Sequence, residues 1–214
     1  SPDQMRFMSM YRDYIFRHGG HVVDAGWHNN YRMMPSHMEL HHQAAEVSRV
    51  LADRWHAING KILCYCGPFI GPDNPDLMRR SHGLKMFRNN FDGWSELAYD
   101  GGSNYHTWNH LFGHDTTYRP FRFIVSTCKG PIINTLAFEG MREGMDDVRY
   151  ATLLYQLADE CLDSGDAAKI TAARKAIVWF RDLEFPSPQD LDSVRDGMVY
   201  HILNLMKHSG KEKL

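Results

Sequence analysis

Acidic and aromatic residues gather where the apolar runs of this chain give way to polar segments. Asp24 and Trp27 close the run His21-Val22-Val23-Asp24-Ala25-Gly26, Glu96 and Asp100 follow Phe91-Asp92-Gly93-Trp94, and Tyr105 and Trp108 lie in the polar stretch from Asp100 to Pro120. A ring stacks on the apolar face of a sugar, and a carboxylate accepts hydrogen bonds from its hydroxyls. Asp24, Trp27, Glu96, Asp100, Tyr105 and Trp108 are therefore the candidate substrate-binding residues, and carbohydrate is the partner they suit. For any single aromatic, such as Trp94 or Tyr99, packing between strand and helix is the first reading, and the collection of acids and rings is what points to a sugar.

Other constellations point to less. His106, His110 and His114 recur at four-residue spacing in YHTWNHLFGHD, and on a helix three imidazoles on one face could hold zinc. Gly113 and the polar neighbours favour a loop, so no metal site is assigned. His37, His41 and His42 form a weaker cluster at a predicted helix start. The sequence has no GxSxG elbow, Walker loop, GxGxxG fingerprint or HExxH pair, so no cofactor is expected. The 4 cysteines, Cys64, Cys66, Cys128 and Cys161, lack CxxC spacing and read as free thiols.

A net charge of −2, from 24 Lys+Arg against 26 Asp+Glu, offers no clustered basic excess for nucleic acid. No apolar run approaches the roughly 18 residues that cross a bilayer, so neither nucleic acid nor membrane is an expected partner. The chain opens on Ser-Pro, and an export signal lost upstream would make the protein secreted or periplasmic.

These residues need elements to position them. Met5, Met8, Tyr11 and Ile15 recur at helical spacing up to Gly19-Gly20, and a helix is predicted again over 38–57 from Leu40, Ala44, Val47, Leu51 and Trp55. Residues 75–89 read as a third helix. Strands are predicted at 21–27, 61–66, 91–99 and 121–126, separated by helices, which is the pattern of βαβ units and a parallel sheet. Ligands sit at the C-terminal ends of such strands. Beyond residue 134 the pattern is helical, over 135–163, 166–183 and 189–207. The expected domains are a set of β/α units over 1–134 and a helical part over 135–214.

The stretch Asn134–Tyr150 has the sharpest pattern. Met141, Met145, Val148, Leu154 and Ala158 line one predicted helix face, while Glu139, Arg142, Asp146 and Arg149 line another at spacings that pair opposite charges. Gly140 and Gly144 each cost the helix about 1 kcal/mol relative to Ala, which points to close backbone packing. A structural role is the first reading of this segment.

EGMREGMDDVRYATLL, preceded by Gly130-Pro131-Ile132, resembles the helix after the last barrel strand in glycoside hydrolase family 123 and its relatives. The matching positions are Phe138, Glu139, Arg142, Glu143, Gly144, Asp146 or Asp147, and Tyr150. Asn74-Pro75, Arg79-Arg80, Gly83 and Phe91-Asp92-Gly93-Trp94 resemble that group more loosely. The resemblance implies an α/β fold, the C-terminal half of a (β/α)8 TIM-type barrel followed by a helical tail. It also implies a glycosidase activity, with a 2-acetamido sugar as the candidate substrate and an adjacent Asp-Glu pair as the catalytic group. The one adjacent Asp-Glu here, Asp159-Glu160, falls within a helix pattern far from any strand end. The pair is therefore expected upstream of Ser1, or the domain binds carbohydrate without catalysis, and no catalytic residue is assigned. Half a barrel would leave strand edges at His21–Ala25 and Phe121–Ser126, to be covered by the upstream remainder or by self-association. Along 94–100, alternation puts Trp94, Glu96 and Asp100 on one face. That face is expected to be the barrel interior, with Trp94 in the core and Arg122 pairing Glu96.

Overall fold

A computed structural model describes residues 2–26, 40–44, 47–65, 73–95, 123–125, 127, 130–184 and 190–209. The elements are α1 (Pro2–Arg17), β1 (Val23–Gly26), β2 (Leu40–Ala44), α2 (Arg49–His56), β3 (Lys61–Tyr65), α3 (Pro75–His82), α4 (Leu84–Arg88), β4 (Gly93–Ser95), β5 (Ile124–Val125), β6 (Ile133–Asn134), α5 (Leu136–Leu162), α6 (Ala167–Asp182) and α7 (Leu191–Ser209). Among the described residues the protein is a helix-rich α/β chain with few strands. It divides into two compact units, 1–142 and 143–214, and α5 starts in the first and continues in the second.

In the first unit, β1, β2, β3 and β4 form a parallel sheet in that order. Every connection steps the same way across the sheet. Right-handed crossovers then carry the helices to one face. The core agrees: Ile62 and Cys64 of β3 are buried against Leu51, Ala52 and Trp55 of α2 and Met86 of α4, with Val22, Val47 and Phe91. On the opposite face of β3, Lys61 is exposed and Leu63 and Tyr65 are half-buried.

Two strand expectations are corrected. Residues 40–44 form β2 rather than part of a helix, so His41 and His42 lie in a strand and His37 lies outside the described residues. Leu40-His-His-Gln-Ala44 contains no β-branched residue; its two strand neighbours supply the ladder that local propensity does not. The strand expected at 121–126 is not a member of the described parallel sheet. Ile124 and Val125 pair antiparallel with Ile133 and Asn134, across the Gly130-Pro131 segment. Thr135 fixes this hairpin to the next helix: its Oγ1 donates to Phe123 O at 3.0 Å and accepts from Phe138 N at 3.2 Å, capping α5.

Local chemistry sets the other boundaries. Asn74 Oδ1 accepts from Leu77 N at 3.1 Å with Pro75 in the first turn of α3, and Asp166 Oδ1 accepts from Ala168 N and Lys169 N at the start of α6. Those two backbone donors, Lys169 N first, hold the Asp166 carboxyl below its usual range. Asn59, with φ 58°, makes the turn expected at Asn59-Gly60.

The second unit is helical. Ala151, Leu154, Leu157, Ala158 and Cys161 of α5 are buried, as are Ala172, Ala173, Ala176 and Phe180 of α6 and Val194, Met198, Ile202 and Leu205 of α7. The expected stripe on α5 is therefore displaced. Met145 is exposed, and Gly144, Asp147, Ala151, Leu154, Ala158 and Cys161 form the buried face.

Candidate functional site

The C-terminal ends of four parallel strands make one edge, where Gly26, Ala44, Tyr65 and Ser95 terminate β1 to β4. Ala44 pairs in register with Tyr65, and Tyr65 with Ser95, so the three lie in one row across the sheet. Leading off this edge are the segments with the predicted binding residues. Asp24 is the second residue of β1, level with His41 and Ile62, two positions short of the strand end. Trp27, Glu96, Asp100, Tyr105 and Trp108 lie outside the described residues, as do His106, His110, His114 and Arg122. Among the described residues no group of His, Cys, Asp and Glu could hold a metal ion.

Tyr65 and Ser95 were missed by sequence reasoning, although Tyr65 was findable. It stands an odd number of residues from the buried Ile62 and an adjacent position from the buried Cys64, so alternation alone puts it on the face away from the helices. A phenol and an alcohol side by side can exchange hydrogen bonds with a hydroxylated ligand.

The face assigned to β4 is reversed over the described residues. Trp94 packs against the helices: its ring meets the buried His82 of α3 edge-on at 4.9 Å and Phe123 at 6.1 Å, beside a cluster of Met78, Ile124 and Ala137. Gly93 and Ser95 then share the other face with Leu63, whose Cδ2 lies 3.0 Å from where a Cβ on Gly93 would be. The indole is the largest apolar group on this short strand, and α3 and the start of α5 supply the apolar surface that covers it.

At the opposite, N-terminal end of the sheet lies a polar network. Asp92 Oδ2 accepts from Ile62 N at 2.8 Å and from His56 Nε2 at 2.9 Å. Asn90 Nδ2 donates to His56 Nδ1 at 3.1 Å, which leaves the ring proton on Nε2. Arg49 pairs with Asp53 at 2.9 Å, and Asn89 Oδ1 accepts from Arg49 N at 3.1 Å. These bonds tie α2 to the entries of β3 and β4, and residues at this end of a parallel sheet serve stability.

The pattern-rich helix α5 resolves into structural contacts. Glu139 pairs with Arg142 at 2.9 Å and Asp146 with Arg149 at 2.6 Å, both on the surface as the spacing predicts. Bonds from Asn134 and then Arg142 keep the Glu139 carboxyl below its usual range. Gly140 sits where an added Cβ would strike the backbone of Pro75, so α5 and the first turn of α3 approach through the missing side chain. Further along, Arg195 of α7 reaches back to α5: Nε donates to the buried Asp147 at 2.7 Å, Nη1 to Glu143 Oε2 at 2.6 Å and Nη2 to Glu143 O at 2.9 Å. Its guanidinium also lies 5.7 Å from the centre of the Tyr150 ring. Glu143, Asp147 and Tyr150, three of the motif positions, thus meet at one arginine. Asp159 and Glu160 are exposed on the same helix.

No protein-family model matches the chain. No curated protein matches it either. Among solved structures it is similar to a family 123 glycoside hydrolase from Clostridium perfringens, from work on glycolipid glycan hydrolysis, at 11% identity and a TM-score of 0.49. The likeness covers 90% of this chain and 35% of that one, so the chain spans about a third of the length of that structure.

Proposed function

We propose that this chain is a glycoside hydrolase-like domain that binds carbohydrate at the C-terminal edge of its parallel sheet and acts on a glycosidic bond, with a 2-acetamido sugar as substrate. The observation that carries the reading is the order of the strands. Four parallel strands in sequence order, wound in one direction, bring every strand end to a single edge. They also put α1, α2 and α4 on one face, so the other face needs covering, which closure into a barrel provides. The barrel that the sequence resemblance implies is consistent with that order. The acids and rings that suit a sugar, Trp27, Glu96, Asp100, Tyr105 and Trp108, lie in the segments that follow β1 and β4.

A second reading is a carbohydrate-binding domain without catalysis. The position of Asp159-Glu160 favours it, because this adjacent pair is exposed within the helix α5 and does not terminate a strand. Titration with oligosaccharides that contain 2-acetamido sugars, beside a hydrolysis assay on a chromogenic 2-acetamido glycoside, tests both. Binding with hydrolysis supports the enzyme and binding alone supports the second reading. No binding to any such sugar overturns both.

A further inference from the structure

The geometry points to α1 as a self-association surface that takes a second copy of this chain in an antiparallel, twofold pairing. Phe7, Met10, Tyr11 and Tyr14 stand at i, i+3, i+4 and i+7, and they are 60%, 69%, 59% and 64% exposed. The helix fastens to its own unit through another side, where Arg12 is buried and Ile15 packs on the core. An uncovered stripe of large apolar side chains is uncommon on a monomer and marks an interaction surface.

A second copy fits the stripe for a reason of charge. The stripe itself carries none, so the same surface can face itself, as a twofold interface requires. With the axis between Met10 and Tyr11, Phe7 falls opposite the partner's Tyr14 and Met10 opposite the partner's Tyr11. Arg6 then stands opposite the partner's Ile15, Arg17 opposite the partner's Gln4 and Asp13 opposite the partner's Met8, so no like charges oppose.

The area sets the strength. Rings and thioethers of this size present roughly 200 Å² each, so four at three-fifths exposure offer about 500 Å² per protomer. A pair buries about 1,000 Å², the low end of specific interfaces, which makes the dimer weak and concentration-dependent. This surface is separate from the strand-end edge, so its fate and that of the carbohydrate reading are independent.

Sedimentation of the full chain over a wide concentration range tests the inference. The expected result is a mass that rises from one protomer to two and stops there. Met10→Lys should raise the concentration for half-dimerisation by at least about tenfold with the melting curve unchanged. Tyr200→Lys, at a residue 61% exposed on α7, should leave the dimer as it was. A monomer at every concentration, growth beyond two copies, or a dimer indifferent to Met10→Lys would each overturn it.

Discussion

Removing the guanidinium that joins α7 to α5 should destabilise the helical unit strongly, and a double substitution should restore it. Asp147 is 1% exposed and receives Arg195 Nε at 2.7 Å, whereas the Glu143 side chain is 35% exposed at 2.6 Å from Nη1. The two carboxylates are therefore unequal. Loss of the partner of a buried charge costs about 3–5 kcal/mol, while a pair as open as the one with Glu143 contributes no more than about 1 kcal/mol. Arg195→Met keeps most of the aliphatic stem, so it isolates the guanidinium. We expect it to cost up to about 3–4 kcal/mol, most of it through Asp147. For a cooperative unit the size of the whole chain, 3 kcal/mol lowers Tm by about 6–12 °C, and by more if the helical unit melts alone. Asp147→Leu/Arg195→Met replaces both charges with apolar groups and should be more stable than Arg195→Met alone, since apolar side chains often replace a buried pair without loss. Circular dichroism melts and urea titrations of the four corners of this cycle give the coupling. If Arg195→Met lies within about 0.5 kcal/mol of wild type, or the two changes simply add, the clamp is not what holds α7 to α5.

Three further outcomes follow from the geometry. Gly140→Ala places a methyl group against the Pro75 backbone, which cannot rotate away, and should cost about 1–3 kcal/mol by urea denaturation; an unchanged midpoint would refute the close approach. Burial, and then Lys175, lower the pKa of His201 from 6.5. Its contribution to stability is then full above pH 6.5 and declines as the pH falls through the lower folded value, because the unfolded chain takes up the proton first. His201→Leu should flatten that part of a melting-temperature profile against pH, and a profile identical to wild type would count against it. Trp94→Ala removes the ring between His82 and Phe123 and should cost about 3 kcal/mol, whereas Asp100→Ala should weaken sugar binding at unchanged Tm. Calorimetric melting beside glycan titration separates the two, and the reverse split would overturn both the packing of Trp94 and the proposed sugar contact of Asp100.

Much of this protein was legible in its sequence, wherever structure depends on near neighbours. The three C-terminal helices were readable to within a few residues, because long 3.6-residue periods and a cap such as Asp166 are local signals. The turn at Asn59-Gly60, the strand around Ile62 and Cys64 and the surface pairs Glu139–Arg142 and Asp146–Arg149 were readable for the same reason. Tertiary structure alone decided the rest. β2 is a strand because β1 and β3 pair with it on both sides, not because Leu40-His-His-Gln-Ala44 prefers to be extended. Trp94 turned to the helices because α3 and α5 meet there, and alternation along a strand tells only which residues share a face, never which face is covered. Asp147 became a buried carboxylate because Arg195, 48 positions later, folds back onto it. Its neighbour Asp146, with the same charge and almost the same context in the sequence, stays at the surface with Arg149. A charge can be buried only where a partner arrives to meet it, and that arrival depends on how separate helices pack.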